Sequence, residues 1–376
     1  MSNTFCVLPW IHFCSNPSGD VLPCCRFQDY QLTSNCKNQG PGALNSPEFT
    51  RLRQDMLSGL RISGCSKCYQ EEKHKGTSMR IESNNTYRDL LSEIHDSNFL
   101  KLVYVEFAFS NLCNLQCVMC SSSFSTSWYK LEKDLRGKSS YSGELKNHTK
   151  PEDIDLSALR RVKILGGEPL MDPEFYRFID LLVDSGYASN IRLMISTNCT
   201  IPFNEKLKHQ LKKFFSVKIS CSIDGFGILN DYIRRGSVWS KIKHIFLDIT
   251  DLNNELGIDV CTHTTISVFN VNCIDQLFEW FSDKNLHKSS LDVVVKNSPT
   301  SIQLLANPKK DKVQSLISKN KYQTERIIGM MNSYIPTEEE SYKSLEFIRK
   351  IDNIQQNKLY IINPDISKIL FEDQST

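Results

Sequence analysis

Strands alternating with helical segments between about residues 100 and 300 predict an α/β fold on a mostly parallel sheet. Three observations carry that reading. Six apolar or alternating runs rich in β-branched residues fall at 102–109, 161–165, 191–195, 217–223, 258–268 and 291–295. Helical patterns lie between them. The best spans 172–186, with Asp172 as N-cap, Pro173 behind it, apolar Phe175, Phe178, Ile179, Leu182 and Val183, and Gly186 as stop. Polar signatures sit just after the strands, where parallel α/β barrels gather their active sites. Six βαβ units with right-handed crossovers would make an open barrel.

The flanks differ in texture. Residues 1–85 are irregular and rich in Cys, Pro, Gly, Ser and Asn. They carry one clear helix signal: Ser46 as N-cap, Pro47 at the first helical position, Phe49, Leu52 and Met56 on one face, and Gly59 as stop. A segment so poor in regular structure needs staples. Beyond residue 300, charged helical patterns such as EEESYKSLEFIRKIDNI predict a helical C-terminal extension packed on the outside. The expected division is a Cys-rich domain over 1–85, a barrel over 100–300 and an extension over 301–376. The polar run 134–155 reads as a surface linker or as a mobile cover over the site.

At 376 residues the chain has room for roughly two to three domains. Lys plus Arg (45) nearly balances Asp plus Glu (43), and no basic stripe is interleaved with aromatics, so electrostatics gives no case for nucleic acid. A small molecule or a peptide is the expected substrate. The start MSNTFCVLPW lacks a basic segment followed by an apolar one. No run of about 18 apolar residues occurs either. The expectation is a cytoplasmic protein without a membrane span.

Fourteen cysteines in a reducing compartment point away from disulfides, and seven before residue 69 with three more at 113–120 point to metal ligation. Cys199, Cys221, Cys261 and Cys273 are scattered and read as buried thiols, although Cys221 and Cys261 lie in strands whose side chains could face a barrel lumen and donate hydrogen. His12, His74 and His263 show no metal spacing and read as solvated or hydrogen-bonded. Trp10 reads as core.

The densest signal is NLCNLQCVMCSSSF, where Cys113, Cys117 and Cys120 follow the first strand at C-x3-C-x2-C spacing. Three thiolates can converge on one metal centre while a fourth position has no local ligand. Structural zinc is normally closed by four protein ligands, whereas an iron-sulfur cluster held by three cysteines leaves one iron open. Gly166-Gly167-Glu168-Pro169 follows the second strand, Ser196-Thr197-Asn198 the third and Ser222-Ile223-Asp224-Gly225 closes the fourth. Taken alone, the GGEP run could be a tight turn with Glu168 as an N-cap-like acceptor. At the end of a barrel strand, two glycines also let the backbone approach a ligand, and a carboxylate there can receive an amino group.

Together the cysteine triad, the GGEP run and the strand-end series resemble the radical S-adenosylmethionine (SAM) superfamily over roughly residues 100–300. The resemblance implies a partial (β/α)6 barrel, and that Cys113, Cys117 and Cys120 hold a [4Fe-4S] cluster whose fourth iron is chelated by SAM. One electron then cleaves SAM to methionine and a 5′-deoxyadenosyl radical that abstracts a substrate hydrogen. By position, Gly166, Gly167 and Glu168, with Pro169 closing the run, would meet the SAM amino group. Ser196 and Asn198 would lie near the ribose or methionine moiety, and Ser222, Asp224 and Arg234 or Arg235 would add contacts. Where the family usually has an aromatic residue before the third cysteine, this chain has Met119, whose thioether is a plausible substitute near the adenine.

A second resemblance lies upstream. Cys6, the Gly19-to-Cys24 run and the Cys65-x2-Cys68 pair are similar to a twitch domain, the shortened relative of the SPASM domain, which binds one auxiliary [4Fe-4S] cluster. It implies Cys6, Cys24, Cys65 and Cys68 as ligands. Cys25 could replace Cys24, while Cys14 and Cys36 fit no slot. Such a domain more often follows the barrel than precedes it, and four thiolates could equally close a structural zinc site.

The function this implies is oxidation or crosslinking of a peptide side chain or of a sugar- or alcohol-like metabolite, with a flavodoxin- or ferredoxin-type electron donor. A redox-neutral epimerase or isomerase and a zinc-stabilised binding module without catalysis are the alternatives. A methylthiotransferase or nucleic-acid modifier would need a basic face or an RNA-binding segment, and neither is present.

Overall fold

A computed structural model describes residues 3–28, 39–75, 77–137, 139, 143–283, 289–294, 298–318 and 324–371. Cys36 lies outside them. The α/β reading holds: one eight-stranded sheet runs in the order β2-β1-β3-β4-β5-β6-β7-β8, with helices between most of its strands. All six expected strands are present, as β3 (Tyr104–Ala108), β4 (Arg161–Leu165), β5 (Arg192–Thr197), β6 (Ser216–Ser222), β7 (Asp259–Ile266) and β8 (Ser289–Val293). Two more come from the Cys-rich segment. β1 (His12–Ser15) pairs parallel with β3, and β2 (Val21–Leu22) pairs antiparallel with β1.

By its internal contacts the chain divides into two compact units. The first holds residues 1–112, 144–196 and 203–218. Its small core packs Phe5, Val7, Leu8, Trp10 and Ile11 against Leu52, Met56, Tyr87, Leu90 and Val103. The expected helix forms as Pro47–Leu57, with the Ser46 hydroxyl accepting from the Phe49 amide. One buried charge ties this segment together. Arg53, 1 % exposed, donates to the carbonyls of Pro9 (3.2 Å), Leu44 (2.8 Å) and Ser97. Helix Pro173–Asp184 begins as expected, with the Asp172 carboxylate capping the Glu174 amide, and buries Phe175, Phe178, Ile179 and Leu182. Phe178 packs against Phe107 and Phe109, so alternate residues of β3 face this helix and the others face away from it.

The polar run after residue 134 is more than a linker where it is described. Asn147 donates its amide to the Phe109 carbonyl (2.8 Å), Asn111 donates to Leu145 (3.3 Å), and Ser110 bridges Lys146, pinning 145–147 to the exit of β3.

The second unit holds residues 113–143, 197–202 and 219–376. Its core joins Trp128, Ile266, Phe269 and Val293 to Val313, Ile327, Met331, Ile348 and Ile351 from the C-terminal helices. Those helices are thus integrated with β7 and β8 rather than laid on the outside. Their charge hides an apolar stripe: in Glu338–Ile354 the buried positions are Ser341, Ser344, Phe347, Ile348 and Ile351, at helical spacing. No helix among the described residues is long and apolar enough to cross a membrane.

Replacing Arg53 by Met keeps the length and removes every donor. Three buried carbonyls then lose partners at about 1–3 kcal/mol each. The variant is expected to lose about 3 kcal/mol or more of stability, read as a lower urea midpoint by circular dichroism. An unchanged midpoint would show that the carbonyls find other donors.

Candidate active site

The cysteine loop begins where β3 has ended, and both of its sides are tied down within the second unit. On one side the amides of Gln116 and Val118 donate to the carbonyls of Arg235 and Ile233, each at 2.8 Å. On the other, the Ser125 hydroxyl donates to Leu115 (2.6 Å), the Ser127 hydroxyl to Cys113 (2.7 Å) and the Trp128 indole to Cys117 (2.9 Å). The segment that holds the first side is itself supported by the C-terminal helices. The Tyr232 hydroxyl donates to Asp352 (2.9 Å), and the Gln355 amide donates to the Tyr232 carbonyl (2.8 Å).

Held this way, the three thiols sense one another. Burial pushes Cys117 up to about 12, with the Cys113 thiol adding and Arg234 opposing. Burial raises Cys120 further, with Cys117 and Cys113 adding to it. Clustered buried thiols give up their protons readily only to a cation, which is the behaviour of metal ligands.

Two polar side chains reach the sulfurs. Asn198 donates to Cys113 Sγ at 3.8 Å, and Arg234 to Cys117 Sγ at 3.8 Å. Arg234 also lies 2.8 Å from Asp224, the two side chains being 10 % and 0 % exposed. Asp224 accepts from the Thr265 amide (2.7 Å), and its own carbonyl accepts from Asn270 (2.8 Å). Burial disfavours charge on the guanidinium, but Asp224 and the Cys117 thiol outweigh that and raise its pKa. Of the residues expected from sequence, Cys113, Cys117, Cys120, Asn198, Asp224 and Arg234 thus come together in one unit, with Asp224 committed to Arg234 and Thr265.

The GGEP run belongs to the first unit, and the close approach its glycines permit is to the chain itself. The amides of Gly167 and Glu168 donate to the carbonyls of Ser110 (3.1 Å) and Leu112 (2.7 Å). Gly166 has φ +138°, and a side-chain carbon on Gly167 would lie 2.2 Å from the Leu112 oxygen, so neither position admits another residue without movement. Glu168, 1 % exposed, accepts from the Leu170 amide at 3.2 Å, the N-cap role that the local sequence offered. Pro169 is buried behind it, and Ser196 and Ser222 are half-buried at the ends of their strands.

Sequence reasoning missed Asn114 and Thr200, and it read Cys199 only as the buried thiol that it is. Asn198 donates to Asn114 (3.1 Å) and accepts from the Thr200 amide (2.9 Å) and hydroxyl (2.6 Å). Cys199 between them has φ +59°, the one non-glycine residue with positive φ among those described. The Asn-x-Thr spacing after a strand is the signal that could have revealed this Asx turn.

In the first unit the N-terminal cysteines separate into two groups. Burial raises Cys6 and Cys65 to about 12 each. The Cys65 and Cys68 thiols add at Cys6, and Cys68 adds at Cys65. Cys24, raised by burial, feels Cys25 first and then Cys6 and Cys65, and so stands between the groups. Cys25 turns elsewhere: its thiol reaches Glu106 and lies near Lys163.

The ion pair beneath Cys117 gives a direct test. Asp224→Ala leaves Arg234 charged and without its carboxylate, which is expected to cost about 3–5 kcal/mol. The double variant Asp224→Asn with Arg234→Gln is expected to recover part of that loss in thermal or urea unfolding. Equal losses in the two proteins would mean that the pair is not what is being lost.

Residues 107–281 match the radical SAM superfamily. Among solved structures, anSMEcpe carrying a hexahistidine tag and bound AdoMet is 17 % identical over 58 % of this chain and 57 % of its own length, with a TM-score of 0.41. The match thus spans less than two thirds of that protein. Streptococcus suis SuiB bound to the precursor peptide SuiA is 13 % identical over 74 % of this chain and 60 % of its own, with a TM-score of 0.38. The radical S-adenosylmethionine methyltransferase TsrM from Kitasatospora setae, with cobalamin and a [4Fe-4S] cluster bound, is 11 % identical over 54 % of this chain and 35 % of its own, with a TM-score of 0.37. Comparison with curated proteins returned no match. The cysteine loop, the GGEP run and the polar strand ends all lie inside the segment 107–281 that matches the radical SAM superfamily.

Proposed function

We propose that this chain is an enzyme that reductively cleaves S-adenosylmethionine at a [4Fe-4S] cluster held by Cys113, Cys117 and Cys120, and abstracts a hydrogen atom from a small-molecule or peptide substrate to oxidise or crosslink it. One observation carries the reading: three clustered thiols, one buried and two half-buried, in a loop tied down on both sides, with hydrogen-bond donors aimed at two of the sulfurs. When bound, the cluster and S-adenosylmethionine supply one-electron radical chemistry.

The chain's own residues prepare for it. Asn198 and Arg234 stabilise negative charge on the Cys113 and Cys117 sulfurs, which eases reduction of whatever those sulfurs ligate. Asp224 fixes the guanidinium in place, so Arg234 acts through Cys117 in this reading. Gly166, Gly167 and Glu168 offer backbone and carboxylate acceptors for an amino group, and Ser196 and Ser222 offer hydroxyls at the strand ends.

A second, auxiliary [4Fe-4S] cluster on Cys6, Cys24, Cys65 and Cys68 completes the proposal, within a Cys-rich domain over 1–85. Support comes from Cys65 and Cys68 raising Cys6, Cys68 raising Cys65, and Cys6 and Cys65 adding at Cys24. A closed cluster exchanges electrons, which suits a net oxidation fed by a flavodoxin- or ferredoxin-type donor.

Anaerobically reconstituted protein is expected to carry about eight irons per chain. Cys117→Ala should keep about four and make no 5′-deoxyadenosine under dithionite. Cys65→Ala should also keep about four yet still make it. Colourless protein with stoichiometric zinc, or 5′-deoxyadenosine from Cys117→Ala, would overturn the proposal. In redox titrations followed by electron paramagnetic resonance, Arg234→Gln is expected to shift one cluster to a more negative potential. With deuterated substrate, label should reach 5′-deoxyadenosine while SAM is consumed. Label returning to product with SAM regenerated would mean isomerisation instead.

A further inference from the structure

The face of the sheet turned away from helix Pro173–Asp184 buries polar and charged side chains in its first strands. The β1–β3 register sets His12 opposite Tyr104 and Cys14 opposite Glu106, and the β3–β4 register sets Glu106 opposite Lys163. His12 and Cys14 are two residues apart on one strand and so share this face. His12, Cys14 and Glu106 are 0 %, 3 % and 1 % exposed, and their donor atoms all lie within 4.8 Å of one another.

Two acceptors confront each other at its centre. His12 Nδ1 lies 3.2 Å from the Pro23 carbonyl, which can only accept, so Nδ1 carries the proton and Nε2 is left as a bare lone pair. Nε2 has no hydrogen-bond partner although it is fully buried, and it lies 3.9 Å from Glu106 Oε2. That oxygen accepts from the Tyr104 hydroxyl (3.1 Å), Oε1 accepts from Lys163 (2.9 Å), and the Cys25 thiol also hydrogen-bonds this carboxylate. Burial holds His12 down to about 4, so no imidazolium proton fills the gap at neutral pH.

We infer that His12 Nε2, Cys14 Sγ and Glu106 Oε2 form a binding site for one divalent cation of the zinc class, distinct from both cysteine sets described above. Imidazole, thiolate and carboxylate are the zinc donor set. Cys25, an exposed residue of the neighbouring turn whose thiol reaches Glu106, would close the shell as the fourth ligand. Two thiolates and one carboxylate then balance the cation together with the Lys163 ammonium, so the buried charges cancel. The ion would tie β1 and the Cys24–Cys25 turn to β3.

The test uses the full-length, cluster-loaded protein dialysed against one equivalent of zinc per chain. About one zinc per chain is expected to be retained, with X-ray absorption at the zinc edge showing a mixed shell of sulfur and nitrogen or oxygen. Cys14→Ser and His12→Gln should each lower zinc occupancy at least tenfold while iron content stays unchanged. Iron measured in the same samples reports folding, and the absorption spectrum of the unaltered protein decides the matter if a variant fails to fold. No retained zinc in the unaltered protein, an all-sulfur shell, or full zinc occupancy in folded Cys14→Ser would overturn the site.

Discussion

A buried guanidinium governs the unit that carries the cysteine loop. Arg234 cannot stay charged in an apolar interior without a counter-charge, and Asp224, fully buried, provides it at 2.8 Å. The same side chain reaches Cys117, and the carbonyls on either side of it, Ile233 and Arg235, receive the cysteine-loop amides. One short segment therefore positions both the backbone of the loop and a positive charge beside one of its sulfurs. Removing the C-terminal helices would leave that segment without Asp352 and Gln355, which is why a part of the chain remote in sequence matters to the cysteine loop.

Arg53 has the corresponding place in the Cys-rich half. Short elements and long loops bury little apolar surface, so backbone carbonyls must find donors elsewhere. A single planar cation satisfies three of them, from Pro9, Leu44 and Ser97, and so joins pieces of chain that have no ladder in common. The strand His12–Ser15 then extends the sheet by one parallel neighbour, and its register brings a histidine and a cysteine across from Tyr104 and Glu106.

Much of this was legible in advance. Each of the six strands and the capped helices Pro47–Leu57 and Pro173–Asp184 has a local cause: β-branched runs, an N-cap with proline behind it, a glycine after the last turn. The triad spacing was legible for the same reason, since three thiols within eight residues need no tertiary partner to converge. β1 was not, because HFCS is four residues long and mixes polar with apolar, and only pairing with β3 makes it a strand. The apolar stripe of Glu338–Ile354 was obscured by its charges, so its burial against Trp128 and Phe269 could not be read locally.

The sequence by itself determined the alternation of strands and helices, the cysteine spacing and the glycines at 166 and 167, because each depends on residues close together along the chain. Only the tertiary structure decided that Arg234 serves Asp224 and Cys117, that Glu168 caps its own turn, and that the Cys25 thiol reaches Glu106. The physical reason is the same in each case. A buried polar group must be satisfied by whichever partner folding brings within reach, and that partner can lie anywhere in the chain.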